Sequence, residues 1–222
     1  MKKIFIAAFV ILAGSFLFAQ NITTASAYFK TVSEYYGTLK SYEADFEIHV
    51  GKTTEMGGHL SFKSPDLLRM DFSNPEEQVI CYSSDTLTIY LPESAAVLQQ
   101  QVSSDSSGST LATPQGLNLM TRYYTVAYET GQSAEPLDSE SDELVYKLIL
   151  YKRSSSEAFK YIKLAISADT NLIRRIEAAP NTGDALIFDF YDYKTNTEIS
   201  DQRFIYDAPS SANNYNNFLF SE

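Results

Sequence analysis

Between residues 42 and 50 the side chains alternate without a break: Tyr42, Ala44, Phe46, Ile48 and Val50 interleave with Glu43, Asp45, Glu47 and His49. Successive side chains of an extended backbone point to opposite faces, so a period of two specifies a strand with one apolar and one wet face. Such a strand needs neighbours to complete its hydrogen bonds and a second apolar layer over one face. The same period recurs through most of the chain. Leu60 and Phe62 alternate after Gly57-Gly58, a pair that predicts a turn, and Leu68, Met70 and Phe72 alternate beyond Pro65. Segments 79–82, 87–91 and 95–102 predict three more strands, closed by a small polar linker at 103–109. After an acidic loop at 131–143, segments 144–151, 159–167, 173–178 and 185–193 read as a meander joined by polar turns. Short stretches at 124–128 and 202–206 complete the set.

Two segments follow a different period. Ile22, Ala25, Phe29, Val32, Tyr36 and Leu39 recur at spacings of three and four, with Thr23 or Thr24 placed to cap the start, which predicts a helix over 22–40. Thr113-Pro114 opens a second helix with Leu117, Met120 and Tyr124 on one side. About ten strands with two helices imply a mainly β fold with some α: a strongly curved antiparallel sheet or barrel whose concave side the helices cover.

Lys2 and Lys3 precede an uncharged apolar run from Ile4 to Phe18 that ends at Ala19-Gln20, the pattern of a cleavable signal peptide over residues 1–19. The run is short for a bilayer span of about 20 residues. With no cysteine near the cleavage point, the exported protein is expected not to be lipidated, leaving 20–222 as a single domain. The net charge of −11 disfavours nucleic acid and anionic lipid head groups as partners. Cys81, the single cysteine, lies in an apolar run, so the fold rests on its core without an intrachain disulfide.

The run Gly58-His59-Leu60-Ser61-Phe62-Lys63-Ser64-Pro65-Asp66-Leu67-Leu68-Arg69-Met70, with Pro75, Gln78-Val79-Ile80, Leu87, Ile89-Tyr90 and Pro92, resembles the periplasmic lipoprotein carrier family, LolA. The order of elements agrees: a helix before Ser41-Tyr42-Glu43-Ala44-Asp45-Phe46, a Thr-Pro helix after the first group of strands, and a last strand finishing in Pro209. Two departures stand out. Ser64 occupies the place before the proline where family carriers often have Arg, a residue implicated in release or helix contact, and Ser84-Asp85 replaces a glycine turn.

The resemblance implies an incomplete, unclosed β-barrel with a helical lid, and an apolar cavity that shields lipoprotein acyl chains between inner and outer membrane. The partners it implies are an ATP-driven ABC-type release complex at the inner membrane and an acceptor at the outer membrane. Candidate lining residues are Phe46, Ile48, Leu60, Phe62, Leu68, Met70 and Phe72 from strands, with Leu117 and Met120 from the lid. Arg69 is a candidate release or partner residue. A monomeric, periplasmic, non-enzymatic carrier without metal or cofactor is expected. His49 and His59 read as a solvated strand face, and Asp189 and Arg69 as outward positions on half-buried strands. Other functions open to the same fold are carriage or sensing of phospholipid or glycolipid, and a protein-binding domain whose apolar residues are all core.

Overall fold

The structure, a computed structural model, describes residues 23–51, 53–83, 85–101 and 114–218. The predicted signal peptide and the polar linker at 103–109 lie outside the described residues.

Helix α1 (Ala25–Thr38) begins where Thr24 accepts a hydrogen bond from the Ala27 amide, which satisfies one of the first-turn donors that a helix leaves unpaired. Its apolar stripe of Ala25, Phe29, Val32 and Tyr36 is buried, and Leu39 follows it inward. The chain then reverses into β1 (Ser41–Val50), β2 (Thr53–Lys63), β3 (Leu67–Asn74), β4 (Glu76–Ser83), β5 (Thr86–Leu91) and β6 (Ala96–Gln101), each paired antiparallel to the last. Helix α2 (Pro114–Tyr123) leads directly into β7 (Tyr124–Tyr128), followed by the two-residue β8 (Glu135–Pro136) and the long strands β9 (Leu144–Lys152), β10 (Phe159–Ser167), β11 (Ile173–Pro180) and β12 (Leu186–Thr195).

Strand β12 returns to pair with β1, so the two halves share one sheet in the order β13-β6-β5-β4-β3-β2-β1-β12-β11-β10-β9-β7. β13 (Asn213–Asn216) and β7 are its two ends, and the sheet stays unclosed. It is mainly antiparallel, as expected, except that β13 runs parallel to β6.

Two local expectations are corrected, and one strand is new. Gly57-Gly58 is not a turn: it lies inside β2, and the reversal falls at Gly51, whose φ of 63° is the left-handed region that glycine favours. Gly58 is needed there because the register shifts between Gly57 and Gly58, and a Cβ on Gly58 would lie 2.1 Å from the Asp71 carbonyl oxygen. Segment 202–206 is not a strand. It forms a 3-10 turn, Asp201–Phe204, that Ser200 caps, and then an extended strap across the convex face. Its apolar residues, Phe204 and Tyr206, pack on that face as single anchors instead of alternating in a ladder. The new strand is β13, an Asn-rich stretch with no apolar alternation to betray it.

Candidate functional site

Cross-strand register decides which side chains share a face. Phe46 pairs with Gly58 and Phe190, Leu60 with Met70, and Phe62 with Tyr42 and Leu68, so all of these point to the concave side. There α1 closes over them. Phe29, Val32 and Tyr36 are fully buried, and Tyr42, between Tyr36 and Phe62, stacks on the Phe62 ring at 5.0 Å. Phe46 meets Phe72 edge-on at 5.1 Å.

All nine candidate residues lie in one apolar cluster. Phe46, Ile48, Leu60, Phe62, Leu68, Met70 and Phe72 enter from β1, β2 and β3; Leu117 and Met120 enter from α2. None is more than 7% exposed. The cluster extends beyond these nine. Half of the same cluster comes from α1 and from the second group of strands, including Leu148, Leu150, Ile162, Leu164, Ile176 and Phe190. The signal for them was the same alternation, visible in Leu148/Leu150 and Ile162/Leu164.

The cluster is not uniform across the sheet. Under α1 it is sealed, whereas on β4, β5 and β6 the concave side chains Ile80, Tyr82, Leu87, Ile89 and Leu98 are only half-buried, with Ala96 and Gln100 of the same face buried among them. The opposite face of those strands carries a separate small core, Val79, Cys81, Tyr90 and Val97, packed under Tyr206, Ala208 and Ala212 of the C-terminal strap. Cys81 is buried there, its thiol donates to the Phe204 carbonyl at 3.2 Å, and burial pushes its pKa up.

The two helices are held unequally. Tyr36 accepts a hydrogen bond from the buried Ile173 amide at 2.9 Å, and Tyr193 donates to the Ile173 carbonyl at 2.8 Å. Burial pushes the Tyr36 phenol up to about 12, and it raises Tyr42 and Tyr193 as well. At its other end Tyr28 reaches Asn171 at 3.4 Å and packs against Tyr146. Helix α2 is tied to α1 by one described polar contact, Ser33 donating to the Asn118 side-chain oxygen at 3.1 Å.

Polar candidates lie on the convex face. Arg69 binds Asp71 at 2.8 to 3.1 Å, donates to the Arg203 carbonyl, and sits 5.5 Å from the Tyr206 ring centre; Arg203 also pairs with Asp71. The guanidinium of Arg69 thus fastens the strap. Asp189 faces outward as expected, 2.5 Å from Arg175 and 3.3 Å from His49. His59 sits between Asp45 at 2.6 Å and Glu43 at 3.4 Å. A groove of about 560 Å³ beside them is lined by Asp45, Glu47, His59, Asp71 and Tyr191 together with Gly57 and Gly58. Among the described residues no group of three or more His, Cys, Asp or Glu side chains could hold a metal ion. Ser64 is exposed at the turn between β2 and β3.

The model of the family "Outer membrane lipoprotein carrier protein LolA" matches residues 37–207, which includes every strand from β1 to β12. The chain belongs to the LolA family. No curated protein matches it significantly. Among solved structures it is similar to an uncharacterized conserved protein from Thermus thermophilus, at 13% identity and a TM-score of 0.58, covering 86% of this chain and 98% of that one. It is also similar to MucB in the MucA/MucB complex of Pseudomonas aeruginosa, at 10% identity and a TM-score of 0.52, covering 85% of this chain and 62% of that one. A second MucB structure gives 12% identity and a TM-score of 0.53. At these identities the likeness is one of fold, and the chain spans under two thirds of MucB. LolA-family membership fits a large unclosed sheet with two helices on its concave side and suggests a lipid- or lipoprotein-binding protein. Among the described residues no helix is long and apolar enough to cross a membrane.

Proposed function

We propose that this protein is a periplasmic carrier that takes up the acyl chains of lipoproteins in its concave apolar interior and moves them from the inner to the outer membrane. The observation that carries this reading is the gradient in that interior: a sealed cluster under α1 grades into half-buried apolar side chains on β4, β5 and β6. A purely structural core gains by sealing its whole surface, since each buried CH₂ contributes about 0.8 kcal/mol. A carrier needs apolar surface that the cargo completes. A lipoprotein with two or three acyl chains owes on the order of 20 to 40 kcal/mol to its membrane, so unaided passage through water is prohibitively slow. An apolar interior removes most of that cost through burial alone, with no covalent step.

Donor and acceptor in this reading are an inner-membrane ABC-type release complex and a site at the outer membrane. The test is depletion of the protein followed by fractionation of lipoproteins. The expected result is their accumulation at the inner membrane; unchanged sorting refutes the carrier role.

The similarity to MucB, seen in complex with MucA, favours a second reading in which this fold binds a protein. Mass spectrometry of ligands retained through gentle purification separates the two. Retained triacylated peptide supports carriage, whereas a retained protein and no lipid supports the second reading. Free phospholipid that triacylated peptide does not displace points to a phospholipid carrier.

A further inference from the structure

One cross-strand row crosses the whole first half of the sheet on its concave face. Leu60 pairs with Met70, Met70 with Ile80, Ile80 with Ile89, Ile89 with Leu98, and Leu98 with Tyr215 of the edge strand β13. Paired residues share a face, so these side chains form a continuous apolar line. Its burial falls steadily along the way: Leu60 and Met70 are buried, Ile80, Ile89 and Leu98 are half-buried, and Tyr215 is 52% exposed.

The rows on either side behave differently. One runs Phe62, Leu68, Tyr82 and Leu87 and then ends on Gln100; the other reaches the edge through Leu91 and Ala96 and ends on Asn213. Only the middle of these three rows is apolar to the rim, and it is one side chain wide there. Its width suits an alkyl chain better than a helix or a second sheet. Its length agrees: strands lie about 4.8 Å apart, so Ile80 to Tyr215 spans about 14 Å. One leaflet of a hydrocarbon core ~30 Å thick gives an acyl chain nearly the same distance.

We propose that this row is the track along which an acyl chain enters and leaves the interior, through the β13 rim beside Tyr215. The inference rests on the lipoprotein-carrier reading and adds a route to it. Tyr215 supplies an apolar ring with a polar tip at the boundary between water and the track, the position such side chains favour. The edge is built for this use. Among the described residues β13 is the one parallel strand, all four of its side chains are exposed, and the strap before it is fastened separately through Phe204, Tyr206 and the Arg69–Asp71–Arg203 cluster. The rim can therefore yield while the strap stays docked.

The test uses a polarity-sensitive dye on a cysteine placed by Tyr215→Cys, with Tyr123→Cys at the end of α2 as the comparison; buried Cys81 is left in place. A synthetic triacylated lipopeptide is the probe. Its binding is expected to shift the emission of the dye at 215 to the blue and to leave the dye at 123 unchanged. Leu98→Glu is expected to weaken binding at least tenfold. Tyr215→Glu, on an exposed edge where folding is not at stake, is expected to weaken it severalfold, with circular dichroism verifying both folds. Binding that shifts only the dye at 123, or parental affinity in both variants, overturns the track and leaves the carrier reading standing. A blue shift at 215 with the deacylated peptide overturns it in favour of a peptide-binding edge. Absence of lipopeptide binding in the parent protein removes the carrier reading and the track with it.

Discussion

At the scale of single residues, the buried tyrosines explain why α1 keeps its place. The Ile173 amide is buried, and the Tyr36 hydroxyl is its acceptor. Tyr36→Phe keeps the ring and strands the amide, so a loss of about 1–3 kcal/mol is expected in urea unfolding. The same phenols set an alkaline limit. Burial holds the Tyr36 pKa up to about 12 and raises those of Tyr42 and Tyr193, so the folded state keeps protons that the unfolded chain releases above pH 10. The contribution of Tyr36 is therefore whole below pH 10 and falls by about 1.4 kcal/mol per pH unit from there up to pH 12, and Tyr42 and Tyr193 act in the same direction. Denaturation midpoints measured from pH 8 to 12 should be level and then drop steeply, with a shallower drop in Tyr36→Phe. Gly58 has a plainer role: its missing Cβ lets β3 approach, and Gly58→Ala should cost at least about 2 kcal/mol by the same assay. Sequence alone read Gly57-Gly58 as a turn because two glycines mark a reversal and a strand interior alike; the close approach that tells them apart is a tertiary fact.

Elements differ in how firmly they are held. Helix α1 buries a full stripe and is bonded at both ends to the second half of the sheet, while the contacts described for α2 are the buried Leu117 and Met120 and the Ser33–Asn118 hydrogen bond. Ser33→Ala is expected to speed amide hydrogen exchange in α2 several-fold while lowering global stability by no more than about 1 kcal/mol, because Asn118 is exposed and finds water. Equal effects on α1 and α2 would contradict this ranking. What was legible at this scale follows from period. The alternation of Tyr42 to Val50 and the spacing of Phe29, Val32 and Tyr36 are local, and they placed β1 to within one residue and the ends of α1 to within three. The strap and β13 carry no period. The strap is placed by Arg69, Asp71 and Cys81 and β13 by its pairing with β6, all far away in sequence, which is why 202–206 read as a strand and Asn213–Asn216 as nothing.

The whole molecule joins two antiparallel groups through the β1–β12 pairing, which makes one concave surface from both ends of the chain. Seven of the nine candidate residues were legible from strand alternation and Leu117 and Met120 from helical spacing, and all nine do lie together. The gradient from sealed to half-buried was not legible, since exposure depends on where α1 and α2 stop covering the sheet. That gradient is the central element of the functional account. It is tested most directly by incubating the purified protein with washed membrane vesicles that hold a triacylated lipoprotein, pelleting the vesicles, and measuring lipoprotein in the supernatant together with the protein. The account predicts a soluble one-to-one complex that forms with the triacylated form and is absent with a version lacking acyl chains. Lipoprotein that stays wholly in the pellet under conditions where the vesicles' own release machinery is active, or a complex that forms equally well without acyl chains, would contradict it.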